Sequence, residues 1–216
     1  MHKDFLAALG LASVAPVTAG ARSITDRISN DPDPDEIFRN LKGKHKMVFD
    51  VTRPHEILPF AWPRVYLMTN ELTGSPQKET NAVVVLRHDA IPYAMNNDLW
   101  AKYKFGEMFK ADDPMTKAAA VRNPFWMPKA GDYAIPAVGN VAIGINELQQ
   151  SGVLFVACNV ALTVYSAVVA AQTKQTPEAV KKEWMSGLLP GVAVVPSGVW
   201  AVGRAQEHGC AYCFAG

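Results

Sequence analysis

Two unbroken apolar runs, residues 82–86 (AVVVL) and 153–157 (VLFVA), constrain the fold of this chain most. A strand with one wet face alternates apolar and polar side chains, whereas a continuous run is buried on both faces. Strands of that kind need helices on both sides of their sheet. The intervening segments supply them. Residues 160–172 carry apolar side chains at helical spacing, and Thr176-Pro177-Glu178 reads as an N-cap, a first-turn proline and an acidic first turn, with Gly187 as the stop. Ser197-Gly198 opens a further helix that Gly209 ends. Residues 46–51 (KMVFDV), 192–195 (VAVV) and 211–214 (AYCF) read as the remaining strands. Strands alternating with helices predict an α/β domain with a mostly parallel sheet and helices on both faces.

The chain divides into an export-signal-like segment at 1–21, a linker at 22–44 with a short helix near 35–40, and a single α/β domain at 45–216. Pro63 suits the first turn of a helix running to about Thr73. Val138, Val141, Ile145 and Leu148 share one helical face, which predicts a helix from Val138 that Gly152 ends. Residues 88–137 hold many large apolar side chains, among them Tyr93, Trp100, Phe105, Phe125 and Met127, in a stretch broken by prolines. One helix is expected near 98–110. The rest reads as an insertion that covers a cleft or a subunit contact, or as a satellite core beneath a long loop.

Charge narrows the partners. With 21 basic and 20 acidic side chains the formal net charge is +1, which gives no field to attract nucleic acid. No run of strongly apolar residues is long enough for a membrane span. At the N-terminus, His2 and Lys3 precede a mildly apolar stretch that closes on Ala19-Gly20-Ala21, small residues of the kind signal peptidase accepts. The segment resembles the second half of a twin-arginine export signal, with His2 and Lys3 where the arginines would stand. It predicts a periplasmic or exported protein; a frayed helix on a cytoplasmic protein is the alternative.

The chemistry centres on Cys158, which ends an apolar strand and precedes a helix. Open α/β sheets bind ligands at the carboxyl ends of their strands, and a helix N-terminus favours negative charge there. Asn159 can cap the helix or hold a substrate. His88, in Leu86-Arg87-His88-Asp89, falls at the same sheet edge, where a cationic His or Arg would further favour a thiolate. Cys210 and Cys213 form a CxxC pair that lacks the following helix of a redox motif and the following His of a haem site. A disulfide in a turn, a metal-binding pair and a second thiol site all remain open for it. No phosphate loop, dinucleotide fingerprint or nucleophile elbow is present, the five histidines form no metal-like spacing, and no cofactor is expected.

Three segments resemble the DsrE/DsrF-like family of sulfur-relay proteins. They are residues 83–88 (VVVLRH), residues 150–162 (QSGVLFVACNVAL), and residues 189–199 (LPGVAVVPSGV) with 204–212 (RAQEHGCAY) behind them. The resemblance implies a flavodoxin-like fold, a homo-oligomer, and at Cys158 a sulfur-accepting position that carries persulfide. The expected function is handling of sulfane sulfur or thiols, sulfurtransferase-like if enzymatic, with a small sulfur donor or thiol as partner. Asn159 and His88 would then orient or polarise the donor. The alternative is a non-enzymatic oligomeric module that binds a ligand or partner and keeps Cys158 as a buried structural residue.

Overall fold

Residues 33–216 are described by a computed structural model. The export-signal-like segment and the first part of the linker lie outside them. Among the described residues the elements run α1 (Glu36–Arg39), β1 (His45–Val51), α2 (Leu58–Leu72), β2 (Thr80–Leu86), α3 (Asn97–Tyr103), α4 (Phe105–Met108), β3 (Ala134–Ile135), β4 (Gly139–Asn140), α5 (Ile145–Gln150), β5 (Leu154–Cys158), α6 (Asn159–Thr173), α7 (Pro177–Ser186), β6 (Val192–Val195), α8 (Gly198–Glu207) and β7 (Ala211–Phe214). Short 3-10 turns, Gln77–Glu79 and His88–Ala94, flank β2.

Five strands form one parallel sheet in the order β6-β5-β2-β1-β7, and β3 pairs with β4 as a small antiparallel hairpin. The arrangement is the flavodoxin-like α/β architecture expected, with helices on both faces. Across the sheet β1, β2, β5 and β6 follow one another, and β7 returns to the far side of β1. Parallel strands need crossover helices, and right-handed crossovers send the outward steps over one face and the return step over the other. The packing agrees. Phe60 and Leu67 of α2, Ile145 and Leu148 of α5, Leu162 and Tyr165 of α6, and Trp184 of α7 share one core with Phe49, Val84, Leu86 and Phe155. Ala201 and Ala205 of α8 pack with Phe38 against Val48, Val83, Val85 and Val156 on the opposite face. Consecutive strand residues thus divide between the two cores, as the strand period requires.

Local chemistry accounts for several boundaries. The Thr176 hydroxyl accepts from the Ala179 N–H at 3.2 Å and caps α7, and Gly187 follows its last turn, as the sequence predicts. The helix after β1 begins earlier than expected. Pro59, not Pro63, occupies its first turn, and Pro63 sits inside α2, where its missing N–H leaves one backbone bond unmade. The helix expected near 98–110 is split in two because Lys104 adopts a left-handed conformation at φ 51° between α3 and α4. The helix expected from Val138 is replaced at its start by the β3–β4 hairpin. Ala137 and Gly139 have positive φ (65° and 95°), which a right-handed helix does not admit, and only α5 is helical.

The aromatic side chains of residues 88–137 join the main core. Tyr93, Trp100, Phe105 and Phe125 are buried there, and Phe125 lies 4.3 Å from Phe60 between ring centroids. Asn123 ties the segment down by donating to the Tyr93 and Met95 carbonyls, both at 2.9 Å. Among the described residues no helix is long and apolar enough to cross a membrane.

Candidate functional site

The winding of the sheet creates one crevice at its carboxyl edge. The chain leaves β5 toward the first face through α6, and leaves the neighbouring β6 toward the other face through α8. Two adjacent strands whose exits diverge define the switch point where open α/β sheets bind ligands. Cys158, paired in register with Val195, stands on one side of this point, and Ser197 stands on the other. Each opens a helix: the Cys158 sulfur accepts from the Ala161 N–H at 3.3 Å, and the Ser197 hydroxyl accepts from the Trp200 N–H at 3.1 Å. The positive ends of α6 and α8 therefore meet at this edge.

Cys158 is 6% exposed and contacts the core beneath it. The expectation that Asn159 caps the helix is corrected here. Cys158 itself is the N-cap, because its extended backbone (φ −74°, ψ 111°) turns the thiol toward the free N–H groups of the first turn. Asn159 is the first helical residue, half-buried, with its carbonyl accepting from the Thr163 hydroxyl at 2.8 Å.

The register pairs Leu86 with Ala157, so the next residue of β2's exit, Arg87, stands beside Cys158. Its guanidinium binds the Asp50 carboxylate through two bonds, Nε to Oδ1 at 2.7 Å and Nη2 to Oδ2 at 2.8 Å. Asp50 is buried at 3% exposure in β1 and also accepts from the Tyr212 hydroxyl of β7 at 3.0 Å. Three neighbouring strands thus converge on one buried carboxylate. The Asp50 bond raises the pKa of Arg87 and outweighs the opposing effect of burial, and the charges of Asp50, Tyr212 and Cys158 act in the same direction. Burial, then the Asp50 bond, pushes the Tyr212 phenol up.

His88 lies one residue further out. It begins the 3-10 turn with φ 49°, its side chain is 58% exposed, and its partners are Asp89, at 3.3 Å from Nδ1, and the ring of Tyr165, at 6.1 Å between centroids. Asp89 accepts from the Tyr165 hydroxyl, and burial followed by that bond raises the Tyr165 pKa above the usual phenol range. The structure brings Cys158 and Arg87 together and sets His88 against the second turn of α6.

Cys210 and Cys213 are free thiols on opposite sides of β7. Cys210 is buried in the α8-side core, and Cys213 packs toward the other. Residues 211–214 form a regular strand without the turn that a bridge between the two would require, and the two sulfurs stand apart on its opposite faces. Burial raises the pKa of both, with Lys46 partly offsetting it at Cys210. A shallow cavity bordered by Arg64, Glu71, Gln77, Thr80 and Ser151 lies at the amino ends of β2 and β5, away from this site.

Asp50 and Tyr212 went unnoticed as site residues in the sequence. The available signal was Asp50 itself, an acidic residue inside an otherwise apolar strand, since a buried carboxylate requires a partner. Neither the models of known protein families nor the curated proteins contain a match to this chain.

Proposed function

We propose that this protein handles sulfane sulfur through Cys158. The supporting observation is the position of its sulfur: at the switch point of the sheet, on the N-terminus of α6, and beside the braced guanidinium of Arg87. Backbone N–H groups and a fixed cation suit a sulfur that carries negative charge both before and after it accepts another sulfur atom. The likeness of three segments to DsrE/DsrF-like proteins supports the same reading.

In the reaction, the Cys158 thiolate attacks the outer sulfur of a donor such as thiosulfate. A new S–S bond forms at Cys158, the donor's S–S bond breaks, and sulfite leaves with the electron pair of that bond. The product is a persulfide anion of the same charge as the thiolate it replaces, so no external oxidant or reductant enters. Transfer to an acceptor thiolate repeats the displacement at the persulfide sulfur. Arg87 faces the site from the neighbouring strand, and Asn159 orients the donor at the start of α6. Export, and assembly into a homo-oligomer, belong to the same proposal.

Incubation with thiosulfate or polysulfide, followed by a persulfide-selective probe, should label the wild type and not Cys158→Ser. Equal labelling of both would reject the assignment. The burial of Cys158 favours a second reading, a binding module in which the thiol only caps α6. A Cys158 that stays unmodified by polysulfide in the folded protein selects that reading.

A further inference from the structure

The guanidinium beside Cys158 has an unspent face. Asp50 occupies Nε and Nη2 of Arg87, while Nη1 makes no hydrogen bond among the described residues. The side chain cannot swing freely. Two bonds hold its head, and its stem lies against Gly198, where an added β-carbon would come within 2.6 Å of Arg87 Cβ. A rigid, partly exposed guanidinium with one edge free is a geometry suited to an oxyanion.

The charged and titratable groups that bond or flank Arg87 and its carboxylate do not cancel that preference. From β1, Asp50 is buried behind Arg87 and engaged by both Arg87 and Tyr212. From β7, Tyr212 donates to that carboxylate, and Cys213 packs on the other face of the strand. From the turn after β2, Asp89 is turned to Tyr165 of α6, and His88 to both. From β6 and the first turn of α8 come Val195, Pro196, Ser197 and Gly198, none of them charged.

We propose that Arg87 selects the charge of whatever reaches Cys158, so that the sulfur donor is one bearing an anionic oxygen group, with the sulfonate end on the free edge of the guanidinium and the outer sulfur toward the thiolate. This rests on Cys158 being the sulfur acceptor, yet its test needs no sulfur donor. Iodoacetate and iodoacetamide alkylate the same thiolate and differ in charge. The ratio of their rates at Cys158, followed by mass spectrometry of its peptide at low ionic strength, reports anion preference independently of thiol ionisation.

Replacing Arg87 alone would orphan a buried carboxylate, so the informative variant is the pair Asp50→Asn with Arg87→Met, which removes both charges together. The iodoacetate-to-iodoacetamide ratio should fall about fivefold or more in that variant. Arg87→Lys, which keeps a cation, should retain at least about half of the wild-type ratio. An unchanged ratio in the paired variant overturns the proposal, as does an equal fall in Arg87→Lys. A folded protein in which neither reagent reaches Cys158 overturns it too. If the ratio behaves as expected while persulfide never forms, charge selection at Cys158 stands and the sulfur-accepting role falls.

Discussion

The β-carbon that Gly198 lacks would stand 2.6 Å from the β-carbon of Arg87. The first turn of α8 therefore approaches the exit of β2 as closely as backbone allows, and this closeness keeps the guanidinium against the sheet edge.

Gly198→Ala should accordingly destabilise. Helix propensity alone would favour alanine by up to about 1 kcal/mol. The contact reverses the sign, because the opposing atom is the first carbon of a side chain rather than a flexible tip. A loss of about 1–3 kcal/mol is expected from overpacking, measurable by urea denaturation. A stability equal to wild type would show that α8 can shift without cost.

Asp50→Asn should cost more, about 2–4 kcal/mol, since it leaves a guanidinium that is only 27% exposed without its carboxylate. Tyr212→Phe removes only one hydrogen bond to the same group and should cost about 1 kcal/mol. Because both act on one carboxylate, their effects should not add, and a double-mutant cycle by chemical denaturation would read the coupling.

The three cysteines should all titrate as free thiols. In denaturant without reductant, a thiol reagent should modify three groups per chain, the full cysteine count. A value of one would mean that Cys210 and Cys213 are bridged, which would require β7 to be remodelled.

Tyr165 carries a prediction about alkaline pH. Its folded pKa is raised, first by burial and then by Asp89. The fold therefore favours the neutral phenol more than the unfolded chain does. That contribution is fully present below the unfolded value of about 10 and is lost as pH rises from there through the folded pKa. Tyr165→Phe should flatten the alkaline limb of a Tm-against-pH curve, and an unaltered limb would contradict the assignment.

Much of the architecture was legible because it rests on local rules. The unbroken runs at 82–86 and 153–157 required a sheet covered on both faces, and Thr176-Pro177 marked a helix start by side-chain chemistry alone. Two readings failed where local pattern met local backbone conformation. Val138 and Val141 have helical spacing, but positive φ at Ala137 and Gly139 makes a hairpin there. Lys104 breaks a helix at a residue whose propensity is favourable, because the cap it forms lets Trp100 and Phe105 both reach the core. At the site, Cys158 was visible from its place after an apolar run. The Asp50–Arg87–Tyr212 cluster was not, since its members come from three strands and meet only through the sheet register.

The aromatic segment at 88–137 offers a stability test of its own. Phe60 touches Phe125, Tyr93 and Phe155, joining α2 to that segment and to β5. Phe60→Ala should cost about 3–5 kcal/mol in chemical denaturation, because rings on three sides are too constrained to collapse into the void. A loss below about 1 kcal/mol would mean that the segment is not integral to the core.

The position of β7 beside β1 has a consequence for biogenesis. β1 is the first strand of the sheet to leave the ribosome, and its outer edge finds its partner only when Ala211–Phe214, the last strand, emerges. For most of synthesis that edge is an open template carrying unpaired N–H and C=O groups. Such long-range closure gives a high contact order and slow folding. Slowed docking of β7 would therefore leave that edge open for longer and surface as aggregation of the nascent chain.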